Sequence, residues 1–211
     1  MKIRAFDSIS IAVLYFIIGI VLIIKIYIAF SHTSDLAGIE EATFYNIHKI
    51  FVYGKLYCTS PDDFPYTITP HTPFYYYFIT SLSKLFFNGS QSEMYEQYVF
   101  GRLVSIFFVA ISMLLIYKSL RILRLNLLLS IILVFVAFTS LDNHIFSMRP
   151  DGLKLLISCL YLYFIIRYLI VPRRTYLVLM GIVVSIGFFV KQDEILISAV
   201  GSIILLYNKK I

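Results

Sequence analysis

The chain has 211 residues, 60% of them hydrophobic and only 14% charged, with a formal net charge of +6 and a mean hydropathy of +0.86. Soluble domains carry about 25% charged residues, so a water-soluble globule is excluded and lipid is the expected solvent. The positive charge does not imply nucleic acid, because the basic residues lie in short clusters between apolar runs rather than along one polar face.

The first apolar run, 8–30, is too long for a signal-peptide core and has no small-residue cleavage pattern after it, so it reads as a retained span. Lys25 near its outer end is placed to snorkel to the interface. A long polar and aromatic segment, 31–98, follows. Within it, residues 40–52 read as a helix with Phe44, Ile47, His48 and Phe51 on one face, closed by Gly54. Glu40 and Glu41 fall in its first turn, where the helix dipole alone would favour carboxylates. Asp62 and Asp63 stand beside prolines in a turn, and the proline-bearing stretch 65–73 is expected to be extended. Asn88-Gly89-Ser90 matches a glycosylation sequon but reads as a plain turn. Five more apolar runs occupy about 99–117, 125–141, 152–171, 175–190 and 195–207, the last two short for the roughly 20 residues a span needs. Cys58 lies in the polar loop and Cys159 in an apolar run, which supports neither a disulfide framework nor a metal site.

The run 73–87 could cross the membrane or lie flat on it, and charge decides between the two. If it lies flat on the outer side, the inner segments hold Lys2, Arg4, Lys118, Arg121, Arg124, Arg167, Arg173, Arg174, Lys209 and Lys210. The outer segments then hold every acid except Asp7. If it spans, four arginines of short loops face outward, against the positive-inside rule. Lys84 and the tyrosines of this run also suit an interface. The expected fold is therefore an all-α integral membrane protein of about six transmembrane helices. Interfacial helices fill the first outer loop, and both termini are cytoplasmic.

This topology gathers acids and bases on one membrane face. Arg102 lies inside an apolar run, where a charge costs about 2.5–3.5 kcal/mol at mid-membrane and less near the interface, so it is expected to face an anion or a polar cavity. Arg149 and Asp151 follow in the second outer segment, Lys191 and Gln192 in the third. Each has an ordinary explanation: interface anchoring for Arg149, helix capping for Asp151, snorkelling for Lys191. Together they suit a substrate with an anionic head and a lipid tail, because Arg and Lys hold phosphate oxygens and a carboxylate can deprotonate an acceptor. His144 alone is weak ground for a metal.

The order of motifs resembles the GT-C glycosyltransferases, in particular the protein mannosyltransferase-like branch that uses polyprenyl-phosphate sugars. The residues that carry the likeness are IEEATFYNI, YGKLY, ITPHTPFYYYFITSLSKLFF, FGRLVSIFFVAISMLLIY, RPDGLKLLISCLYLYF and GFFVKQD, in that order. The resemblance implies a GT-C-like fold and transfer of a sugar from a polyprenyl-phosphate carrier to an extracytoplasmic acceptor at a cell membrane. It implies Glu40 or Glu41 as the catalytic acid of the first loop, with Glu40 the better fit by its spacing to Tyr45-Asn46, and Asp151 as the second-loop acid. Lys191, with Arg102, Arg149 and Gln192, maps near the lipid phosphate. Some GT-C enzymes use a divalent cation and others do not, so a metal stays open. Family members usually run to several hundred residues, so this chain reads as an N-terminal part (first span 8–30, outer loop 31–98, five further spans 99–211). The competing reading is a non-catalytic lipid-phosphate binder, or a fragment of a transporter or assembly subunit. Transport is disfavoured because the apolar runs carry almost no ionisable residues at depth.

Overall fold

The structure is a computed structural model that describes residues 16–17, 19–27, 30–31, 38–57, 72–87, 94–141, 143–194, 196 and 199–203. The expectations for Asp62, Asp63, Cys58, Asp142, the stretch 65–71, the turn 88–90 and the His144 side chain lie outside the described residues. Residues 19–27 are helical (α1), followed by α2 (Ile39–Tyr53), α3 (Pro73–Phe86), α4 (Met94–Ile122), α5 (Leu127–Thr139), α6 (Asp151–Ile170) and α7 (Arg174–Val190). Two 3-10 turns, Asn143–Phe146 and Gln192–Glu194, follow α5 and α7.

Helix α2 forms where its sequence predicts. Gly38 and Gly54 flank it with φ 64° and 70°, the left-handed region that glycine enters without a steric penalty, and the Gly54 N–H closes on the Ile50 carbonyl. Its buried face is rotated from the expected one: Glu40, Thr43, Asn46, Ile47, Lys49 and Ile50 are buried. Apolar periodicity missed this because four of those six residues are polar: Glu40 turns inward to meet α4, while Thr43 and Asn46 bond back to the Ile39 and Ala42 carbonyls of α2 itself, each at 2.9 Å. From α3, Thr80 Oγ1 donates to the backbone carbonyl of Ile47 at 3.3 Å.

Helix α3 starts at Pro73, whose missing N–H costs nothing at a first helical position. It lies across one end of the bundle. Thr72 Oγ1, at its start, donates to the Phe189 carbonyl near the end of α7 at 2.5 Å. Phe86 and Phe87, at its finish, pack on Phe100 near the start of α4 at 5.3 and 5.5 Å between ring centroids. Both ends of α3 thus meet the same end of the long helices. Tyr75, Tyr76 and Ile79 are fully buried beneath it, while Tyr77, Leu85 and Phe86 face outward, as an interfacial helix requires.

The long helices alternate in direction. Helix α4 has 29 residues, about 43 Å at 1.5 Å per residue. Asn126 turns the chain into α5 by accepting the Leu129 N–H at 2.7 Å, and Arg124 takes the left-handed conformation in the same turn. Helix α6 packs on both α4 and α7. It approaches α4 closely because Gly152 has no side chain: a Cβ there would lie 3.0 Å from the Ile145 carbonyl and 3.3 Å from Ser105 Cβ. Among the described residues, two helical stretches are long and apolar enough to cross a membrane, Glu96–Ile122 with mean hydropathy 2.4 and Asp151–Ile170 with 1.8, whereas α5 and α7 are apolar but shorter. Leu133, Val136, Leu162, Val178, Ile182 and Phe189 are exposed on these helices. An apolar belt of this kind suits hydrocarbon rather than water. Lys118, Arg121, Arg124, Arg167, Arg173 and Arg174 sit at one end of the bundle, and the candidate acids sit at the other.

Candidate functional site

At the acid-bearing end, α2 presents Glu40 to α4. Its side chain is 1% exposed and takes four hydrogen bonds. Arg102 grips both oxygens, Nε to Oε1 and Nη2 to Oε2, each at 2.7 Å. Tyr98 Oη donates to Oε2 at 2.8 Å, and the Met148 backbone N–H donates to Oε1 at 2.6 Å. A carboxylate offers about four acceptor sites, so Glu40 is saturated. Arg102 is equally committed: it also donates to Tyr98 Oη at 2.6 Å and to the Ser31 carbonyl at 3.1 Å, and it lies over the Tyr98 ring. Of the anion or polar cavity expected beside Arg102, the structure has an anion, the protein's own glutamate.

Glu41, the next residue, is different. Both of its carboxylate oxygens are buried and neither has a hydrogen-bond partner among the described residues. Adjacent helical residues point about 100° apart, so Glu41 diverges from the Arg102 grip that saturates Glu40. Phe44 and His48 continue up α2, with Phe44 edge-on to Tyr98 at 5.7 Å and stacked on His48 at 6.0 Å. His48 Nδ1 lies 3.2 Å from Gln97 Oε1.

A second cluster joins the start of α6 to the end of α7. Asp151 is the first residue of α6. It does not cap the helix: Pro150 occupies the cap position, and no side-chain capping bond forms. The Asp151 carboxylate is turned instead toward two cations. Lys191 Nζ donates to Oδ1 at 2.8 Å, and Arg149 Nε stands 3.1 Å from Oδ2 as an ion pair without hydrogen-bond alignment. Beside them, Lys154 Nζ reaches Asp193 Oδ2 at 2.6 Å. Burial pushes the Asp193 carboxyl up, but the hydrogen bond and charge of Lys154, helped by Lys191, outweigh it and hold it below the usual carboxylate range. Gln192 is exposed in the 3-10 turn after α7. The five charges leave a net +1, on side chains that water still reaches.

Tyr75 of α3 is wholly buried, and its hydroxyl faces Ser105 without a well-formed hydrogen bond. Burial, with the negative charges of Glu40 and Asp151 adding to it, raises this hydroxyl well above the ordinary phenol range, so it remains a donor at any physiological pH. Sequence reasoning missed Tyr75, Tyr98 and the Met148 N–H. Tyr98 alone had a signal, since it stands four residues before Arg102 and shares its helix face. A backbone N–H has no side-chain signature. Among the described residues no group of three or more His, Cys, Asp or Glu side chains is arranged to hold a metal.

The sequence-predicted residues Glu40, Glu41, Arg102, Arg149, Asp151, Lys191 and Gln192 thus share one end of the bundle, as a sealed pair (Glu40 and Arg102), an accessible cluster, and Glu41, which joins neither. Neither the curated proteins nor the solved structures contain a match to the chain. Among protein families, residues 70–211 match the dolichyl-phosphate-mannose-protein mannosyltransferases, a span that includes α3 to α7 and the Arg149–Asp151–Lys191 cluster but not α2. With two thirds of its length so matched and with its long apolar helices, this membrane-embedded chain belongs to the dolichyl-phosphate-mannose-protein mannosyltransferase family of glycosyltransferases.

Proposed function

We propose that this chain transfers a sugar from a polyprenyl-phosphate carrier to an extracytoplasmic acceptor, with inversion, and that Glu41 is the general base. The observation that carries the assignment is the buried Glu41 carboxylate, without a hydrogen-bond partner among the described residues, beside a Glu40 whose acceptor sites are all filled. An unpartnered buried carboxylate is costly, and an acceptor hydroxyl or amine supplies the partner it lacks. Glu41 takes the acceptor proton as the acceptor atom bonds to the anomeric carbon. The bond from that carbon to the carrier's phosphate oxygen breaks, and its electron pair leaves with the phosphate. Lys191 and Arg149 receive the growing negative charge, and Asp151 holds both in place. The polyprenyl tail lies in the bilayer along the apolar faces of the long helices. Six spans, with the acid-bearing end outside the cytosol, complete the topology, supported by the basic residues at the opposite end.

The test is Glu41→Gln in the native protein. Turnover is expected to fall by about 10²–10⁴, the usual worth of a general base, while polyprenyl monophosphate still binds. Wild-type turnover in this variant overturns the assignment. Binding of polyprenyl monophosphate without turnover in the unmutated protein points instead to a non-catalytic lipid-phosphate binder. Orientation is read separately from Glu96→Cys and Arg121→Cys, near the two ends of α4: an impermeant thiol reagent should label the first from outside and the second only after permeabilisation.

A further inference from the structure

Glu40 cannot be reached by a substrate, because its side chain and that of Arg102 are 1% and 5% exposed. Its bonds also join parts of the molecule that are far apart in sequence. Tyr98 and Arg102 belong to α4, and the Met148 N–H belongs to the turn before α6, 108 residues away. That turn is held twice. Glu40 takes its backbone at Met148, and the fully buried Met148 side chain seats on Gly101, where a Cβ would come within 2.4 Å of Met148 Cγ. Only Arg149 and Pro150 separate Met148 from Asp151, and the turn is tightened by the Arg149 N–H bonding to the Ser147 carbonyl at 2.8 Å. Fixing Met148 therefore fixes where Arg149 and Asp151 meet Lys191. On the other side, Glu40 fixes the turn of α2 that carries Glu41.

We propose that Glu40 is a positioning residue: through Arg102, Tyr98 and the Met148 N–H it holds Glu41 and the Arg149–Asp151–Lys191 cluster at one fixed separation. The inference rests on the reading of Glu41 and that cluster as base and phosphate grip. A base must stand within hydrogen-bond reach of the acceptor while the phosphate is held by groups on other helices, and small displacements are enough to lower rates. One buried carboxylate sets both positions at once.

The test compares Glu40→Gln, the double variant Glu40→Gln/Arg102→Gln, and Arg102→Lys in the native protein. It measures kcat, donor KM and affinity for polyprenyl monophosphate. Glu40→Gln takes from the buried Arg102 cation the carboxylate it grips on both oxygens, so kcat should fall about 10–100-fold and donor KM should rise. Removing the second charge as well relieves that cation, and the double variant should recover about tenfold of the loss. A base could not be recovered in this way. If Glu40→Gln fails to fold, Arg102→Lys serves instead: it keeps the charge but loses the two-pronged grip, and should lower kcat and raise KM. Unchanged kcat and KM in a folded Glu40→Gln or Arg102→Lys protein overturn the proposal. So does a double variant as inactive as Glu40→Gln with unaltered affinity for polyprenyl monophosphate, which would make Glu40 the base. Failure of the reading it rests on looks different: Glu41→Gln stays active, while the effect of Glu40 on polyprenyl monophosphate affinity is still measured.

Discussion

The Glu40–Arg102 pair and the Asp151 cluster stand at the same end of the bundle and are built in opposite ways. Glu40 and Arg102 are sealed, bonded on both carboxylate oxygens and backed by Tyr98 and a backbone N–H. Asp151, Lys191, Lys154 and Asp193 keep between 17% and 46% of their side chains exposed. The contrast teaches that burial and saturation mark architecture, whereas partly solvated charge, or buried charge without a partner, marks chemistry. Glu41 belongs with the second kind although it adjoins the first.

The largest test of that contrast is Arg102→Ala. Removing one partner of a buried pair leaves the other charge uncompensated, so stability should fall by about 3–5 kcal/mol, read from unfolding in detergent or nanodiscs. A loss near zero would mean that the pair is not sealed. Gly101→Val probes the same knot from its apolar side. The added side chain must displace Met148 from a fully buried site, at a cost of about 1–3 kcal/mol from overpacking. Glu41→Gln should act in the reverse sense on stability: it removes a buried charge that has no hydrogen-bond partner among the described residues, so unfolding should move to higher temperature by the equivalent of about 1 kcal/mol while turnover is lost. A destabilised Glu41→Gln would show that the carboxylate has a partner within the protein.

The smallest effect is expected at Lys154–Asp193. Lys154→Ala should change stability by less than about 1 kcal/mol, and by less still in high salt, because the pair is exposed. Its pH dependence has a definite sign. Asp193 is held below the usual carboxylate range, so its contribution is present above the ordinary carboxylate pKa and disappears as pH falls below that value through the lower folded one. The difference in unfolding temperature between the parent and Asp193→Asn, followed from neutral to acid pH, checks this.

Much of the fold was legible in the chain. Gly54 closes α2 and Pro73 opens α3, because backbone conformation at glycine and proline is a local property. The long apolar runs became α4 to α7, although α4 extends from Met94 to Ile122 and so exceeds the expected 99–117. Intrahelical bonding carried the helix past its apolar section into polar residues at both ends. The site was legible as a set of residues and not as an arrangement. Arg102 was expected to meet an anion or a polar cavity, and it meets an anion, but nothing in the sequence near Arg102 identifies that anion as Glu40, 62 residues earlier. Asp151 looked like a helix cap because its type and position fit one. It became an ion-pair acceptor because Lys191 arrives from another helix.

What the sequence determined by itself is therefore the solvent, the helices and the gathering of charge at two ends, since transfer free energy and local conformational preference act residue by residue. Only the tertiary structure decided which of two adjacent glutamates is saturated and which is left open. On a helix that choice depends on a rotation of about 100°, and it is settled by donors from Tyr98, Arg102 and Met148 that meet Glu40 only once α2, α4 and the turn before α6 have packed together.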